Sequence, residues 1–190
     1  AIQSKCGFSA EHYQRTVMPV LEAYAEFVQQ LPVPGSSHGA RPAGLLIHGL
    51  EMADLALTFR RGQILPKGAA PEDIMRLEHR WTYAVLVAAL MHDIGKHIAK
   101  LRVMLYREGS RAGERWTPFA GSIAESGATR YSVEFVGKDE RVIALDGKLV
   151  LGLDWTATVK WLTKRAEHAS KHLLADGHRG DPTGTLDDVP

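Results

Sequence analysis

The sequence has a single cysteine, Cys6, and it lacks a long apolar run and a strong charge of either sign. One cysteine excludes an intrachain disulfide and a zinc site built from several cysteines of one chain. No apolar stretch approaches the roughly 20 residues needed to cross a bilayer, and the first residues show no secretory pattern. We therefore expect a cytoplasmic protein with no membrane contact. The formal charge of +1 excludes a global field that would attract nucleic acid.

The remaining composition is that of a globular chain. Of the 190 residues, 45% are hydrophobic and 24% are charged, which is enough for one sizeable core. We expect one domain over residues 1–175. Residues 176–190 are rich in Gly, Pro and Asp and lack apolar periodicity, so they are predicted to form a flexible tail or linker. Because the chain begins with Ala1 rather than methionine, we expect it to be a piece of a longer protein.

Apolar residues at helical spacing predict a mainly α fold. We expect a first helical region over residues 9–31, capped by Ser9 and interrupted near Pro19, and a second helix over residues 42–61. A third helical region over residues 72–93 is expected to be buried with the help of Trp81 and Tyr83. A last helix should span residues 155–174. The β-prone runs on either side of Asp146-Gly147 predict a small β-hairpin insertion near residues 131–151.

Two histidines and one aspartate fall on helices in positions that favour metal binding. His92 and Asp93 end the third helical region, and His92 shares a face with apolar Val85, so its ring is predicted to point into the core. His48 belongs to a stripe predicted to be buried, with Asp54 and Arg60 on the polar outer face. The other members of that stripe are Leu45, Met52, Leu55 and Phe59. Imidazole and carboxylate are ordinary metal ligands, although a His-Asp pair at a solvated helix end is the simpler alternative.

Basic residues outnumber acidic ones after this pair. They are Lys96, Lys100, Arg102, Arg107, Arg111 and Arg115. A solvated loop is the usual structure of such a segment. Beside a metal, it would also suit a phosphodiester, because Lys and Arg neutralise phosphate oxygens without reading base sequence. Lys96 is the candidate nearest to the ligands. For the segment WTPF at residues 116–119, we expect core packing rather than base stacking.

The motif formed by His48 and residues 92–96 (HDIGK) resembles the HD superfamily of metal-dependent phosphohydrolases. Further segments resemble, in the same order, the N-terminal domain of MobH-type, TraI-like conjugative relaxases of integrative conjugative elements. These segments are residues 20–28 (VLEAYAEFV), 44–53 (GLLIHGLEMA), 80–85 (RWTYAV), 101–103 (LRV) and 116–119 (WTPF). The resemblance implies an HD-domain-like helical bundle that carries the small β insertion.

The resemblance also implies the roles of particular residues. It makes His48, His92 and Asp93 metal ligands, with Glu167 in the place of the last ligand, an aspartate in the family. His38 stands where the family has a run of three histidines, and we take His38 and Lys96 as candidate catalytic residues. The cofactor would be one divalent ion. Mn, Fe, Zn, Ni and Mg all remain candidates, because mixed ligation by His and carboxylate suits several metals.

We therefore expect a metal-dependent phosphodiesterase-type domain of a conjugative relaxase. Its partner would be DNA, either single-stranded or at a transfer origin, together with other conjugation proteins. One alternative is an HD-type hydrolase of nucleotides or small phosphoesters, which would lack salt-dependent DNA binding. The other is a catalytically degenerate module that binds DNA or protein. The reduced histidine run and the exchange of Asp for Glu167 favour that second alternative.

Overall fold

The computed structural model describes residues 2–34 and 42–136, together with the backbone of residues 145–148. The predicted last helix, the predicted tail, His38 and Glu167 lie outside the described residues. The described residues belong to two compact units. The first unit contains residues 2–21 and 49–92, and the second contains residues 22–34, 42–48, 93–136 and 145–148.

Helices dominate the described residues, which confirms the predicted mainly α fold. They are α1 (Ile2–Cys6), α2 (Ala10–Thr16), α3 (Met18–Val28), α4 (Gly44–Arg61), α5 (Pro71–Met91) and α6 (Ile94–Ile98). Ser9 caps α2 as predicted, because its hydroxyl accepts a hydrogen bond of 3.2 Å from the backbone N–H of His12. The chain is interrupted near Pro19, also as predicted. Pro19 occupies the first turn of α3, where its missing N–H leaves no intrahelical hydrogen bond unmade.

A four-stranded antiparallel sheet in the order β2-β1-β3-β4 forms the β part of the second unit. The strands are β1 (Leu101–Tyr106), β2 (Glu114–Arg115), β3 (Arg130–Phe135) and β4 (Leu145–Lys148). Alternate residues of β1, namely Leu101, Val103 and Leu105, are buried, so one face of the sheet packs on the core. The opposite face carries the charged residues of β1 and β3.

The predicted β insertion is confirmed, but its predicted turn is wrong. Asp146 and Gly147 lie inside β4, opposite Ser132 and Tyr131 of β3. An Asp-Gly pair makes a tight turn only when the runs on its two sides pair with each other. Here residues 145–148 pair with β3, so the dipeptide is part of the ladder.

Helix α4 buries Leu45 as predicted, but its other buried apolar residues lie on a different face from the predicted stripe. Its buried apolar residues include Leu46, Leu50 and Leu57, whereas Phe59 of the predicted stripe is 67% exposed. His48 is half-buried at the border of the buried face. Because α4 carries apolar side chains at most positions, two stripes of helical period compete, and the spacing alone does not choose between them.

Two charged residues assigned to the outer face of α4 are buried. Asp54 accepts a hydrogen bond of 2.6 Å from Lys5 Nζ, and Arg60 donates a hydrogen bond of 2.7 Å to the backbone oxygen of Gln63. A buried charge requires such partners. Both partners lie outside α4, so the periodicity of α4 does not reveal them.

Helix α5 is one continuous helix whose buried line consists of Thr82, Leu86 and Leu90. Trp81 and Tyr83 are exposed, so the prediction that they help to bury this helix is wrong. They flank Thr82 along the chain and therefore project away from its line. Within the part of the chain that the structure describes, no helix combines the length and the apolar character needed to cross a membrane.

Candidate metal centre

Three of the predicted ligands come together. His48, His92 and Asp93 each offer a ligand atom, and these three atoms lie within 4.8 Å of one another. His48 comes from α4, while His92 and Asp93 are consecutive residues between α5 and α6. The fourth predicted ligand, Glu167, lies outside the described residues. Imidazole and carboxylate are donors that Mn, Fe, Zn and Ni accept, so the chemistry of the three residues fits a divalent ion.

The imidazole of His92 is exposed, which corrects the prediction that it points into the core. The ring position is fixed by the helix end, because His92 Nδ1 lies 2.7 Å from the backbone oxygen of Ala89. A carbonyl oxygen only accepts, so Nδ1 carries the proton in this contact. The lone pair then resides on Nε2, the nitrogen that a metal would bind.

Asp93 lies at the start of α6 and is half-buried. Its Oδ1 is 3.8 Å from Nζ of Lys96, and its Oδ2 is 3.8 Å from Nε2 of His97. The side chain of Lys96 is 63% exposed. Lys96 therefore lies beside the candidate ligand with its ammonium group accessible, as a contact to a phosphate oxygen requires.

His97 is a candidate functional residue that the sequence reasoning missed. It is buried in α6, and its ring meets the ring of His48 edge to face, with 5.4 Å between centroids. Burial lowers the pKa of His97, and the neighbouring His48 lowers it further, whereas Asp93 raises it. The signal was available in the sequence, because His97 follows Asp93 by four residues and so lies on the same side of a helix.

The basic segment after α6 is partly strand and partly loop: Arg107 and Arg111 lie in the exposed loop between β1 and β2, as expected from the charge. Arg102 lies in β1 and Arg115 in β2. The alternation of buried and exposed residues in β1 is the signal that identifies it as a strand. The basic side chains of the whole segment are exposed, as its charge predicted.

A cleft of about 400 Å³ opens at the end of β1, and we call it the arginine cleft. Its lining includes Tyr106, Arg107, Arg111 and Arg130. The guanidinium carbon of Arg130 lies 4.7 Å from the centre of the Tyr106 ring. Three guanidinium groups beside an aromatic ring suit the phosphates and bases of a nucleic acid strand.

The segment at residues 116–119 divides into a buried and an exposed part. Trp116 is buried, its Nε1 donates a hydrogen bond of 3.0 Å to the backbone oxygen of Gly121, and its ring contacts Phe27. The predicted packing role is thus confirmed for Trp116. Phe119 is fully exposed, so the same prediction is wrong for that residue. Phe119 lies in a short 3-10 helix that begins at Pro118 and has no buried residue.

The chain was compared with known families, curated proteins and solved structures. No curated protein and no solved structure matches the chain. A family model described as "Putative helicase" matches residues 1–165, which is most of the chain and includes the candidate metal centre. The chain therefore belongs to the TraI_2 family, in agreement with the TraI-like, relaxase-related domain that its sequence resembles.

Proposed function

We propose that this chain is a metal-dependent phosphodiesterase-type domain that acts on DNA during conjugative transfer. The observation that carries the proposal is the meeting of His48, His92 and Asp93, whose ligand atoms lie within 4.8 Å of one another. The membership of the TraI_2 family supports the conjugative context. Mixed ligation by imidazole and carboxylate is common among hydrolytic metal sites.

The proposal assigns a separate role to each group of residues at the centre. His48, His92 and Asp93 would hold a divalent ion, which supplies a water of lowered pKa and polarises a phosphoryl oxygen. Lys96 would bind a non-bridging oxygen of the same phosphate, because its exposed ammonium group lies next to Asp93. His38 remains a candidate from the sequence alone. The attacking group would be water, since no tyrosine of the chain stands in a recognisable nucleophile motif.

The arginine cleft supports DNA rather than a free nucleotide as the substrate. Arg107 and Arg111 of the cleft follow β1 in the chain. Only Ala99 and Lys100 separate β1 from α6. A nucleotide needs only the cations next to the reacting phosphate, whereas a strand of DNA also contacts cations farther along its backbone. Arg107 and Arg111 are exposed in this cleft, which Glu108 also lines, and Nη2 of Arg107 lies 3.6 Å from Oε2 of Glu114. A phosphate would replace that solvated surface pair.

The first experiment measures metal binding and hydrolysis together. The purified chain is dialysed against Mn²⁺ or Zn²⁺, its metal content is determined, and cleavage of a single-stranded oligonucleotide is compared with hydrolysis of nucleoside phosphates. We expect one ion per chain and cleavage of the oligonucleotide. His92→Ala should lose both. His79→Ala is the matched control, because His79 is an exposed histidine of α5 outside the candidate centre.

The outcomes separate the alternatives. A wild-type chain that binds no metal contradicts the proposal. Metal binding with hydrolysis of nucleotides alone identifies a small phosphoester hydrolase. Metal binding and DNA binding with no hydrolysis of either substrate identify a binding module.

The second experiment tests the arginine cleft. The affinity for a single-stranded oligonucleotide should fall with salt, and the slope of log K against log salt should decrease by roughly 0.7 for each phosphate contact that is removed. Arg107→Gln and Arg111→Gln should each produce this decrease. Arg15→Gln, an exposed arginine on α2, should leave the slope unchanged. Equal slopes for all four proteins would exclude the cleft as a DNA contact.

A further inference from the structure

His97 is buried beside the candidate ligands in a way that a purely structural histidine would not require. The side chain is 10% exposed, and its ring stands at 87° to the ring of His48. No hydrogen-bond partner for either ring nitrogen is found among the described residues. A buried polar nitrogen without a partner costs free energy, so such a group calls for an explanation.

The distance between His97 and Asp93 suggests that explanation. His97 Nε2 and Asp93 Oδ2 are 3.8 Å apart, which is too long for a hydrogen bond. Metal bonds to nitrogen and oxygen of about 2.0–2.2 Å place two ligand atoms of one ion roughly 3–4 Å apart. The two atoms are therefore spaced like ligands of a shared ion and not like a donor and its acceptor.

The local helix geometry agrees with this spacing. Asp93 immediately precedes α6, and His97 is the fourth residue of that helix, so the two residues are separated by one turn. Pairs four residues apart on a helix commonly hold one metal ion. The edge-to-face contact brings His97 to His48 as well, so His97 reaches two of the three residues already assigned to the centre.

We propose that His97 is a further ligand of the ion held by His48, His92 and Asp93. This inference rests on the proposed metal-dependent function and adds a ligand to its centre. The ligand set becomes three imidazoles and one carboxylate within the described residues. Such a set favours Mn, Fe, Zn or Ni over Mg, which prefers a shell of oxygen atoms.

The first test counts the imidazoles bound to the ion in the wild-type protein and in one variant. The chain is loaded with Cu²⁺, and pulsed EPR measures the number of imidazole nitrogens coupled to the ion. We expect three coordinated imidazoles in the wild type and two in His97→Leu, a variant of similar volume. A count of two in the wild type that stays at two in His97→Leu would overturn the inference while leaving the proposed function intact.

The second test measures affinity with Co²⁺, whose visible absorption reports its coordination. We expect His97→Leu to weaken Co²⁺ binding by about 100-fold or more and to change the absorption spectrum. His97→Gln, which keeps an oxygen donor, should bind with intermediate affinity, and His79→Ala should match the wild type. Circular dichroism establishes that each variant is folded. Unchanged affinity and spectrum in both His97 variants would refute the ligand role, whereas a wild type that binds no Co²⁺ would refute the proposed metal-dependent function itself.

Discussion

Asp54 in the first unit and Asp93 in the second unit both lie near basic side chains, but at different distances. Asp54 is buried and accepts a direct hydrogen bond of 2.6 Å from Lys5 Nζ. Asp93 is half-buried, with Lys96 Nζ and His97 Nε2 each 3.8 Å from one of its oxygens. The first arrangement is a closed ion pair that contributes to folding. The second has the spacing of a metal-ligand cluster. We therefore expect the free energy of unfolding to rise when an ion binds there.

The largest effect should come from breaking the closed pair. Lys5→Met removes the cation and leaves the buried carboxylate of Asp54 uncompensated, so we expect the free energy of unfolding to fall by about 3 kcal/mol or more. Urea unfolding measures the change. The matched variant Asp93→Asn should change the metal-free free energy of unfolding by less than about 1 kcal/mol, because that carboxylate is partly solvated. Equal losses in the two variants would remove the distinction between the regions.

The next effect concerns the cluster of His48, His92, Asp93 and His97, and it requires metal. At a free Mn²⁺ or Zn²⁺ concentration of 100 times its Kd, we expect the wild type to gain about 2.7 kcal/mol in free energy of unfolding. Asp93→Asn should gain almost nothing, and a chelator should abolish the gain of the wild type. Lys5→Met should keep the full gain despite its lower starting stability. The idea fails if Asp93→Asn is stabilised by metal as strongly as the wild type.

The sequence predicted the proximity of His48, His92 and Asp93 better than the buried faces of the helices. Adjacent His92 and Asp93 at a helix end, with His48 on another helix, were enough to place three side chains together. The resemblance to the relaxases supplied the same three residues. The exposure of His92 was not predictable from periodicity, because it depends on where α5 ends and on the contact of its ring with the backbone of Ala89. Helical period assigns a face but does not locate the end of a helix.

The errors elsewhere have several physical causes. In α4, apolar residues form two competing stripes, so tertiary packing decides which face is buried. The burial of Asp54 depends on Lys5, which is 49 residues away in the chain. The charge of residues 96–115 as a whole favoured a loop, whereas the alternation of Leu101, Val103 and Leu105 is typical of a strand. His97 was not predicted because the motif of residues 92–96 ends one residue before it. Its spacing from Asp93 would have identified it.

A smaller effect is expected from the thiol of Cys6, the residue that follows Lys5 of the closed ion pair in the chain. Burial raises the pKa of Cys6 from 9.0 to about 11. The folded pKa lies above the unfolded one, so on raising the pH the unfolded chain loses its proton first, and the folded state loses stability. Between pH 8 and pH 10, the wild type should lose about 1 kcal/mol relative to Cys6→Ala. A parallel pH dependence of the two proteins in urea unfolding would show that the thiol is not protected.

The smallest effect should come from an ion pair on the surface. It tests whether burial or charge accounts for the difference in stability expected between the Asp54 and Asp93 sites. Arg15 Nη1 and Glu11 Oε1 lie 3.4 Å apart on α2, and their side chains are 76% and 81% exposed. Water screens such a pair, so Arg15→Gln should change the free energy of unfolding by less than about 0.5 kcal/mol. Urea unfolding at low and high salt measures the change. If Arg15→Gln lost as much stability as Lys5→Met, charge pairing itself would account for the stability assigned to the closed pair, and the burial of Asp54 would not explain its difference from Asp93.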